Sequence, residues 1–385
     1  MENVFTKYQK RINPTQQNLE LWSLTIDQGL VAKTKRYDRS FLVRKNDIFN
    51  LVPKGYFVYN PMNITLGTID VNKYHSIAVS GYYIVLKSND QFNVAFLASL
   101  LHTSSMINKY KRFSTGSLLE KQRLQFPNFA KVKIISPRLS EQTKIGLLMN
   151  QVNNLIDLQQ RKLELLKQLK KAMLQQLFAD KNSKQPNLRF KKFKGDWEQR
   201  KLGTVGKTQS GIGFPNKEQG GQKGVPFFKV SDMNNNGNEF EMTTSNNYVT
   251  EQQIISKKWK TITKVPAVIF AKVGAALMLN RKRLVTVPFL IDNNTMAYMF
   301  SKNWDPYFGK VLFDTLNLPK YAQTGALPSF NGSDIENIKV MFPNQVEQQI
   351  IGCFFESING LITHQQNRLT QLTALKKYLL QKLFI

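Results

Sequence analysis

Two stretches of this chain carry the same apolar stripe at helical spacing. Ile156, Leu163, Leu166, Met173 and Leu177 recur three, four or seven residues apart, and Ile362, Leu369, Leu372, Leu379 and Leu383 repeat the series. Such spacing gathers apolar side chains on one face of a helix and leaves the other faces polar. Gln159 and Gln365 interrupt the two stripes at equivalent places. A polar residue on a packed seam fixes register between paired helices, whereas at the edge of a stripe it is simply solvated, and the pattern leaves both readings open. A helix of about forty residues would run about 55 Å, too long for burial inside one domain, so the two are expected to pack on each other as an antiparallel pair.

The stripes lie within a duplication. Lys170-Lys171-Ala172-Met173-Leu174-Gln175-Gln176-Leu177-Phe178 returns as Lys376-Lys377-Tyr378-Leu379-Leu380-Gln381-Lys382-Leu383-Phe384. Upstream, Pro137 matches Pro343, Glu141-Gln142 matches Glu347-Gln348, and Ile145-Gly146 matches Ile351-Gly352. About twenty of roughly forty-six aligned positions are identical, far above what two unrelated amphipathic helices share. Before each stripe a β-branched run, Val132-Lys133-Ile134-Ile135 or Ile338-Lys339-Val340-Met341, reads as a strand stopped by proline. Ser140 and Asn344 are the expected helix caps, with glutamate in the first turn.

The blocks preceding the helices are mixed. Val58-Tyr59, Tyr82-Tyr83-Ile84-Val85-Leu86, Phe227-Phe228-Lys229-Val230 and Ala267-Val268-Ile269-Phe270 predict strands, and residues 91–101 and 304–316 predict short helices. The expected organisation is a first block at 1–138, a first long helix and linker at 139–187, a second block at 188–342 and a second long helix at 343–385. The fold class is therefore α+β, two mixed α/β blocks separated by two long helices that form an antiparallel coiled coil with internal pseudo-twofold symmetry. The blocks match only weakly: Lys109-Tyr110 and Thr115-Gly116 have counterparts in Lys320-Tyr321 and Thr324-Gly325, and between these landmarks they diverge. Preserved spacers with diverged blocks suggest two readers of different targets.

Charge supplies the target class. With 54 Lys and Arg against 26 Asp and Glu, the chain carries a formal charge of +28, spread over its whole length. A folded chain this basic points to a polyanion, and nucleic acid is the default. Base reading needs Arg, Lys, Asn or Gln at a groove, supported by phosphate contacts. The densest candidates are Lys33, Lys35 and Arg36; Lys109, Tyr110, Lys111 and Arg112 with Thr115 and Gly116; Arg281, Lys282 and Arg283; and Tyr321, Gln323, Thr324 and Gly325. A Thr-Gly pair lets backbone amides approach phosphate while a nearby Tyr packs on sugar or base. Against this stands a solvated basic face, a reading that weakens when four such runs occur together.

Catalytic signatures are weak by comparison. Asn60-Pro61-Met62 lacks the second proline and the aromatic that grip a flipped base, and reads as a turn. Gly211-Ile212-Gly213 and Gly220-Gly221-Gln222-Lys223-Gly224 fit no phosphate-binding loop. His75, His102 and His364 are scattered, and with Cys353 as the single cysteine they make no metal spacing. Cys353 lies among apolar residues and is expected in the core. No run reaches membrane-spanning length and no apolar leader opens the chain, so a cytoplasmic protein without a membrane partner is expected.

The helix starts Pro137-Arg138-Leu139-Ser140-Glu141-Gln142 and Pro343-Asn344-Gln345-Val346-Glu347-Gln348 resemble the specificity subunit of Type I restriction–modification systems. So do Gln159-Gln160-Arg161-Lys162-Leu163, Gln365-Gln366-Asn367-Arg368-Leu369 and the Leu-Gln-Gln-Leu-Phe and Leu-Gln-Lys-Leu-Phe helix ends. Trp197-Glu198-Gln199-Arg200-Lys201-Leu202-Gly203, Tyr59-Asn60-Pro61-Met62 and Ser114-Thr115-Gly116-Ser117 are similar to landmarks of its target recognition domains. The resemblance covers nearly the whole chain and implies a noncatalytic subunit on double-stranded DNA. Each domain would read one half of a split sequence, and the long helices would set the gap. It also implies two methyltransferase subunits as partners, with motor-nuclease subunits joining in a restriction complex. S-adenosylmethionine, ATP and magnesium would belong to those partners. One departure stands out: the first block aligns Glu2-Asn3-Val4-Phe5 with Gly203-Thr204-Val205-Gly206, so Asp196-Trp197-Glu198-Gln199-Arg200-Lys201 has no counterpart there. The rival readings are a divergent methyltransferase or nuclease, which cofactor binding by the isolated chain would reveal, and a nonspecific nucleic-acid scaffold, which unrelated DNA would compete away.

Overall fold

Both stripes fold as long helices, Leu139–Gln176 and Gln345–Lys382, each of 38 residues, in a computed structural model that describes residues 1–14, 17–33, 48–116, 122–179, 183–323 and 327–384. Their bounds coincide under the alignment of the duplication. On the first helix the side chains that turn inward alternate four and three residues apart, from Val152 through Ile156, Gln159, Leu163, Leu166, Lys170 and Met173 to Leu177 just beyond its end. On the second, Ile358, Ile362, Gln365, Leu369, Leu372, Lys376, Leu379 and Leu383 do the same. Gln159 and Gln365 are both buried, which removes the solvated-edge reading. Cys353, expected in the core, is exposed: Ile351, Phe355 and Ile358 take the inward positions and leave residue 353 on the outer face.

The chain forms two compact units, Met1–Gln160 with Arg368–Ile385, and Arg161–Asn367. Each therefore contains the beginning of one long helix and the end of the other, the composition an antiparallel pair requires. The units share one sheet plan. In the first, an antiparallel sheet runs in the order Phe5–Tyr8, Ile84–Ser88, Phe57–Tyr59, Ile69–Val71. In the second, the order Gly206–Ser210, Thr295–Phe300, Ala267–Ala271, Lys282–Val285 repeats it with the same antiparallel pairings. Each unit adds a further sheet containing one parallel pair, five-stranded in the first, with Leu21–Trp22 beside Ala78–Val79, and three-stranded in the second, with Phe227–Phe228 beside Leu290–Ile291.

Aromatic residues fill the space between sheet and helices. In the first unit Phe5 meets Phe57 edge to face at 5.2 Å, and Phe129 stacks on Tyr59 at 5.0 Å. In the second, Tyr298 packs on Phe313 at 4.9 Å, and its hydroxyl donates to Leu202 O at 2.7 Å. The strands predicted at Val58-Tyr59 and Ala267-Val268-Ile269-Phe270 lie within Phe57–Tyr59 and Ala267–Ala271, and both short helices are present as Val94–Leu100 and Pro306–Thr315. Of Phe227-Phe228-Lys229-Val230, only Phe227-Phe228 are in a strand, Val225–Phe228, and Val230 opens a 3-10 turn. Tyr82-Tyr83, expected in a strand, lie in the turn before Ile84–Ser88. The largest difference is at Val132-Lys133-Ile134-Ile135. Its counterpart Lys339–Phe342 pairs with Glu198–Lys201, whereas among the described residues no strand pairs with 132–135, and without a partner an extended segment is not a strand.

One polar clamp, built twice, fixes the start of each long helix. Gln142 donates through Nε2 to Pro137 O (2.9 Å) and accepts from Asn93 N (3.0 Å). Gln348 donates to Pro343 O (3.0 Å) and accepts from Asp305 N (3.0 Å). Asn93 and Asp305 are the N-caps of the short helices, their side chains accepting from Phe96 N and Phe308 N. The glutamine thus ties the proline stop, the long helix and the short helix together. Gly146 and Gly352 lie one turn later, where the short helix comes closest: a Cβ on Gly352 would collide with the Asp305 carboxylate and sit 3.0 Å from Phe308 N. Asn344 caps its helix as predicted, accepting from Glu347 N. Ser140 does not, because Leu139–Gln176 begins one residue before it and places it inside the first turn.

The two glycines of the second long helix separate close approach from helix propensity. Gly352→Ala should destabilise the protein by about 1–3 kcal/mol through overpacking. Gly360, with nothing near its Cβ position, should gain about 0.5–1 kcal/mol on replacement by Ala. Urea unfolding of the two variants checks both magnitudes and the opposite signs.

Candidate nucleic-acid interface

In the first unit the basic run occupies the last turns of helix Ser104–Phe113, whose N-cap Thr103 accepts from Met106 N. Helical geometry splits the run. Tyr110 turns inward and is fully buried, its hydroxyl donating to Leu101 O at 3.1 Å, and burial raises its pKa well above that of an ordinary tyrosine. This tyrosine belongs to the core and is not presented to sugar or base. Lys109 Nζ donates to Lys133 O at 3.0 Å, while Lys111 and Arg112 are exposed. Both also complement the carbonyl end of the helix, so their charge has a local role as well.

Beyond this helix the chain opens a loop closed by mutual bonds of 2.9 Å between Thr115 and Arg123. Gly116 has φ +125°, in the region that favours glycine. The second unit closes a loop in the corresponding place by Gln323 N donating to Ser329 O at 2.9 Å, and Gln323 Nε2 reaches Asp334 Oδ2 at 3.1 Å. Tyr321 is half-buried against the core of its unit. Thr324 and Gly325 lie outside the described residues, as do Lys35 and Arg36. Lys33 is described, with its ammonium 5.6 Å from the Phe49 ring.

Strand alternation divides the third run. Lys282 points inward from Lys282–Val285; its Nζ donates to Leu316 O at 2.6 Å, and burial lowers its pKa to about 8 against the opposing effect of Asp314. Arg283 donates to Lys282 O (2.9 Å) and Met233 O (3.2 Å), and burial lowers its pKa too. Arg281 alone reaches outward, bonding the Asn234 side chain. Lys282 therefore serves the interior, and the outward part of this site is Arg281 with whatever lies beside it.

What lies beside it is an amide-rich loop that reading for basic runs passed over. Asn238 holds it: Nδ2 donates to Asp232 O and Thr244 O, each at 2.8 Å, while Oδ1 accepts from Thr243 N (2.8 Å) and Thr244 N (3.1 Å). Asp232, buried, accepts from Lys229 N at 2.9 Å, and desolvation raises its pKa. With its backbone so fixed, the loop leaves Asn234, Asn236, Thr243 and Asn246 exposed. These side chains and Arg281 are the types that read base edges through paired donors and acceptors. The signal was present as two clusters, Asn234-Asn235-Asn236-Gly237-Asn238 and Thr243-Thr244-Ser245-Asn246-Asn247. No group of three His, Cys, Asp or Glu able to hold a metal occurs among the described residues.

A family described as the Type I restriction modification DNA specificity domain matches residues 18–168 and 173–374. The Type I restriction enzyme MjaIX specificity subunit of Methanocaldococcus jannaschii is 25% identical over 307 residues, which are 75% of this chain and 67% of that protein. Among solved structures, the Type I restriction–modification S subunit from M. genitalium superposes with a TM-score of 0.67 at 13% identity, covering all of this chain and 94% of the other. A chain from a structure addressing assembly and conformational transition of the Type I system gives 0.54 at 14% identity, covering 99% of this chain and 97% of the other. At these identities the structures speak to the fold.

Replacing Asn236 and Arg281 together with Ala should relax recognition at one part of a DNA target and leave the other part's preference intact. The loss should be about 1–3 kcal/mol for each base contact removed. Selection from a randomised DNA pool measures this. Equal relaxation of both parts would contradict it, and uniform weakening with unchanged preference would assign these side chains to phosphate.

Proposed function

The chain belongs to the Type I restriction–modification DNA specificity family, and from that premise we propose how its two units divide the work. It is a noncatalytic recognition subunit that selects a two-part DNA target and carries the methyltransferase subunits, with motor-nuclease subunits added in the restricting form. The first unit reads one half of the target and the second unit the other. The observation that carries this reading is the repeated sheet plan and helix clamp beneath loops that differ: the scaffold is duplicated, and the surface that would touch bases is not.

In the first half the contacts fall to Lys111, Arg112, Thr115 and Gly116, with Lys33, Lys35 and Arg36. In the second they fall to Arg281 with Asn234, Asn236 and Asn246, and to Gln323, Thr324 and Gly325. Partner subunits have an apolar surface to cover, since Leu155, Leu158, Leu165 and Leu169 on the first long helix and Leu361, Leu375 and Tyr378 on the second are exposed. S-adenosylmethionine, ATP and magnesium act in those partners. No helix among the described residues is long and apolar enough to cross a membrane, and we place the complex in the cytoplasm, where its DNA is.

The isolated chain should bind DNA with steep salt dependence. If six to ten phosphates are neutralised, affinity should fall by roughly three to five decades between 50 and 200 mM salt. Calorimetry with S-adenosylmethionine should give no heat of binding, and methylation should appear only when methyltransferase subunits are added. Stoichiometric cofactor binding, or turnover by the chain alone, would contradict the reading.

A further inference from the structure

One charged residue interrupts each apolar stripe, and it does so at the same place. Lys170 and Lys376 are aligned in the duplication, and both are half-buried among the inward side chains of their helices. Burial lowers the pKa of both ammoniums, while Asp314 acts the other way on Lys170, as Asp157 and Asp70 do on Lys376. A desolvated cation is costly unless partners hold it, so the partners inside each unit decide what the lysine does.

In the second unit the partner is the amide-rich loop. Lys170 Nζ lies 5.8 Å from the centre of the Phe240 ring, and Lys310 Nζ lies 4.5 Å from it. Lys310, buried on the short helix, is held by both Asp314 oxygens at 2.6 and 2.8 Å. The same ring runs parallel to that of Tyr307 at 6.1 Å. Phe240 also closes the loop through its backbone: Leu284 N donates to Phe240 O at 3.0 Å, and Met242 N donates to Leu284 O at 2.8 Å. Arg283, next on that strand, donates to Met233 O near the start of the loop. Asn234, Asn236 and Thr243 therefore stand on a segment joined to the long helix by an ammonium over a ring, a contact that strengthens where water is excluded.

The first unit puts a different chemistry in the same place. Phe5 lies opposite Ser88, and Phe57 opposite both Leu86 and Val71. Gly206 lies opposite Phe300, and Val268 opposite both Tyr298 and Leu284. Since Phe5 aligns with Gly206, Asp70 occupies the position of Arg283. His102, counted from the N-cap Asn93, likewise occupies that of Asp314, counted from Asp305. Asp70, His102 and Lys376 line one cavity of about 460 Å³ together with residues 25–30, the turn between Leu21–Thr25 and Gly29–Ala32. Asp70 Oδ2 accepts from Leu30 N at 2.9 Å, and a Cβ on Gly29 would strike that oxygen. The strand so held leads into Lys33.

We propose that Lys170 and Lys376 are positioning residues for specificity, each joining its long helix to the segment that carries base contacts in its unit, Lys170 through Phe240 and Lys376 through Asp70. The inference rests on the assignment of those segments to DNA. Each unit contains the start of one long helix and the end of the other. Gln348 anchors the second unit to the helix that begins in it, and Lys170 anchors its reading segment to the helix that ends in it. Gln142 and Lys376 divide the same tasks in the first unit.

Lys170→Met keeps most of the side chain and removes the ammonium. In hydrogen exchange of the full chain without DNA, resolved to single amides, Met242 and Thr243 should exchange about three- to tenfold faster, with Ile269 in the central strand unchanged. Lys376→Met should do the same to the Leu30 amide and leave Met242 as it was. Lys170→Arg, which keeps a cation over the ring, should restore Met242 and Thr243. In selection from a randomised DNA pool, Lys170→Met should relax one part of the target and Lys376→Met the other. Unchanged exchange at these amides, equal acceleration at Ile269, or equal relaxation of both parts by either variant would overturn the proposal. An unsubstituted chain that selects no two-part target would instead overturn the DNA assignment, and exchange alone would then decide whether the lysines hold these segments.

Discussion

The close approach of a short helix to the first turns of each long helix governs this architecture. Gln142 and Gln348 occupy the one position from which an amide can meet the proline carbonyl behind it and the capped amide of the short helix in front. Gly146 and Gly352 remove the side chain that would hold the helices apart. Both bonds of each amide are withdrawn from bulk water, where a half-satisfied amide would cost about 1–3 kcal/mol. Each reading block is thereby attached to its long helix with a fixed orientation. The proposed spacer role of the helices needs that attachment, because length along a helix has meaning only when its ends are rigidly held.

Above this frame the two units are free to differ. A four-stranded sheet and a short helix set the floor, and the residues that could meet DNA sit at a helix end, as Lys111 and Arg112 do, or on connecting loops. The second unit stabilises its amide-rich loop with Asn238 and Asp232 rather than with an apolar core. A loop organised by its own backbone bonds can exchange its outward side chains without disturbing the fold, which suits a surface that must change target. The net charge serves both units alike, since attraction to phosphate carries no sequence information.

Much of this was legible in the sequence. A strict helical period and a gapless repeat show the two long helices, because a 38-residue helix accumulates many consistent positions, whereas the burial of Gln159 and Gln365, left open by the pattern, is settled by the packing. The interface was harder to read. Lys109 to Arg112 and Arg281 to Arg283 are basic as runs, but a helix and a strand each turn alternate members inward, so Tyr110 and Lys282 went to the interior. The exposed Asn234 and Asn236 beside Arg281, proposed as contacts, leave no mark on a charge profile because they are neutral amides. Ser140 and Cys353 were misplaced for a shared reason: type and neighbours favoured one site, and helical phase decided another. The strand at 132–135 is not formed because a strand is a property of a pair, and among the described residues none pairs with it.

The central claim is that two independent readers are held at a distance set by the long helices. Four helix-favouring residues inserted after Gln160 and four after Gln366 lengthen both helices by about 6 Å, close to one full turn. Mapping methylated sites made by the complex carrying this variant should show both half-sites unchanged and the unread gap longer by one or two base pairs, at roughly 3.4 Å per pair. An unchanged gap, or altered bases in either half, would contradict the account.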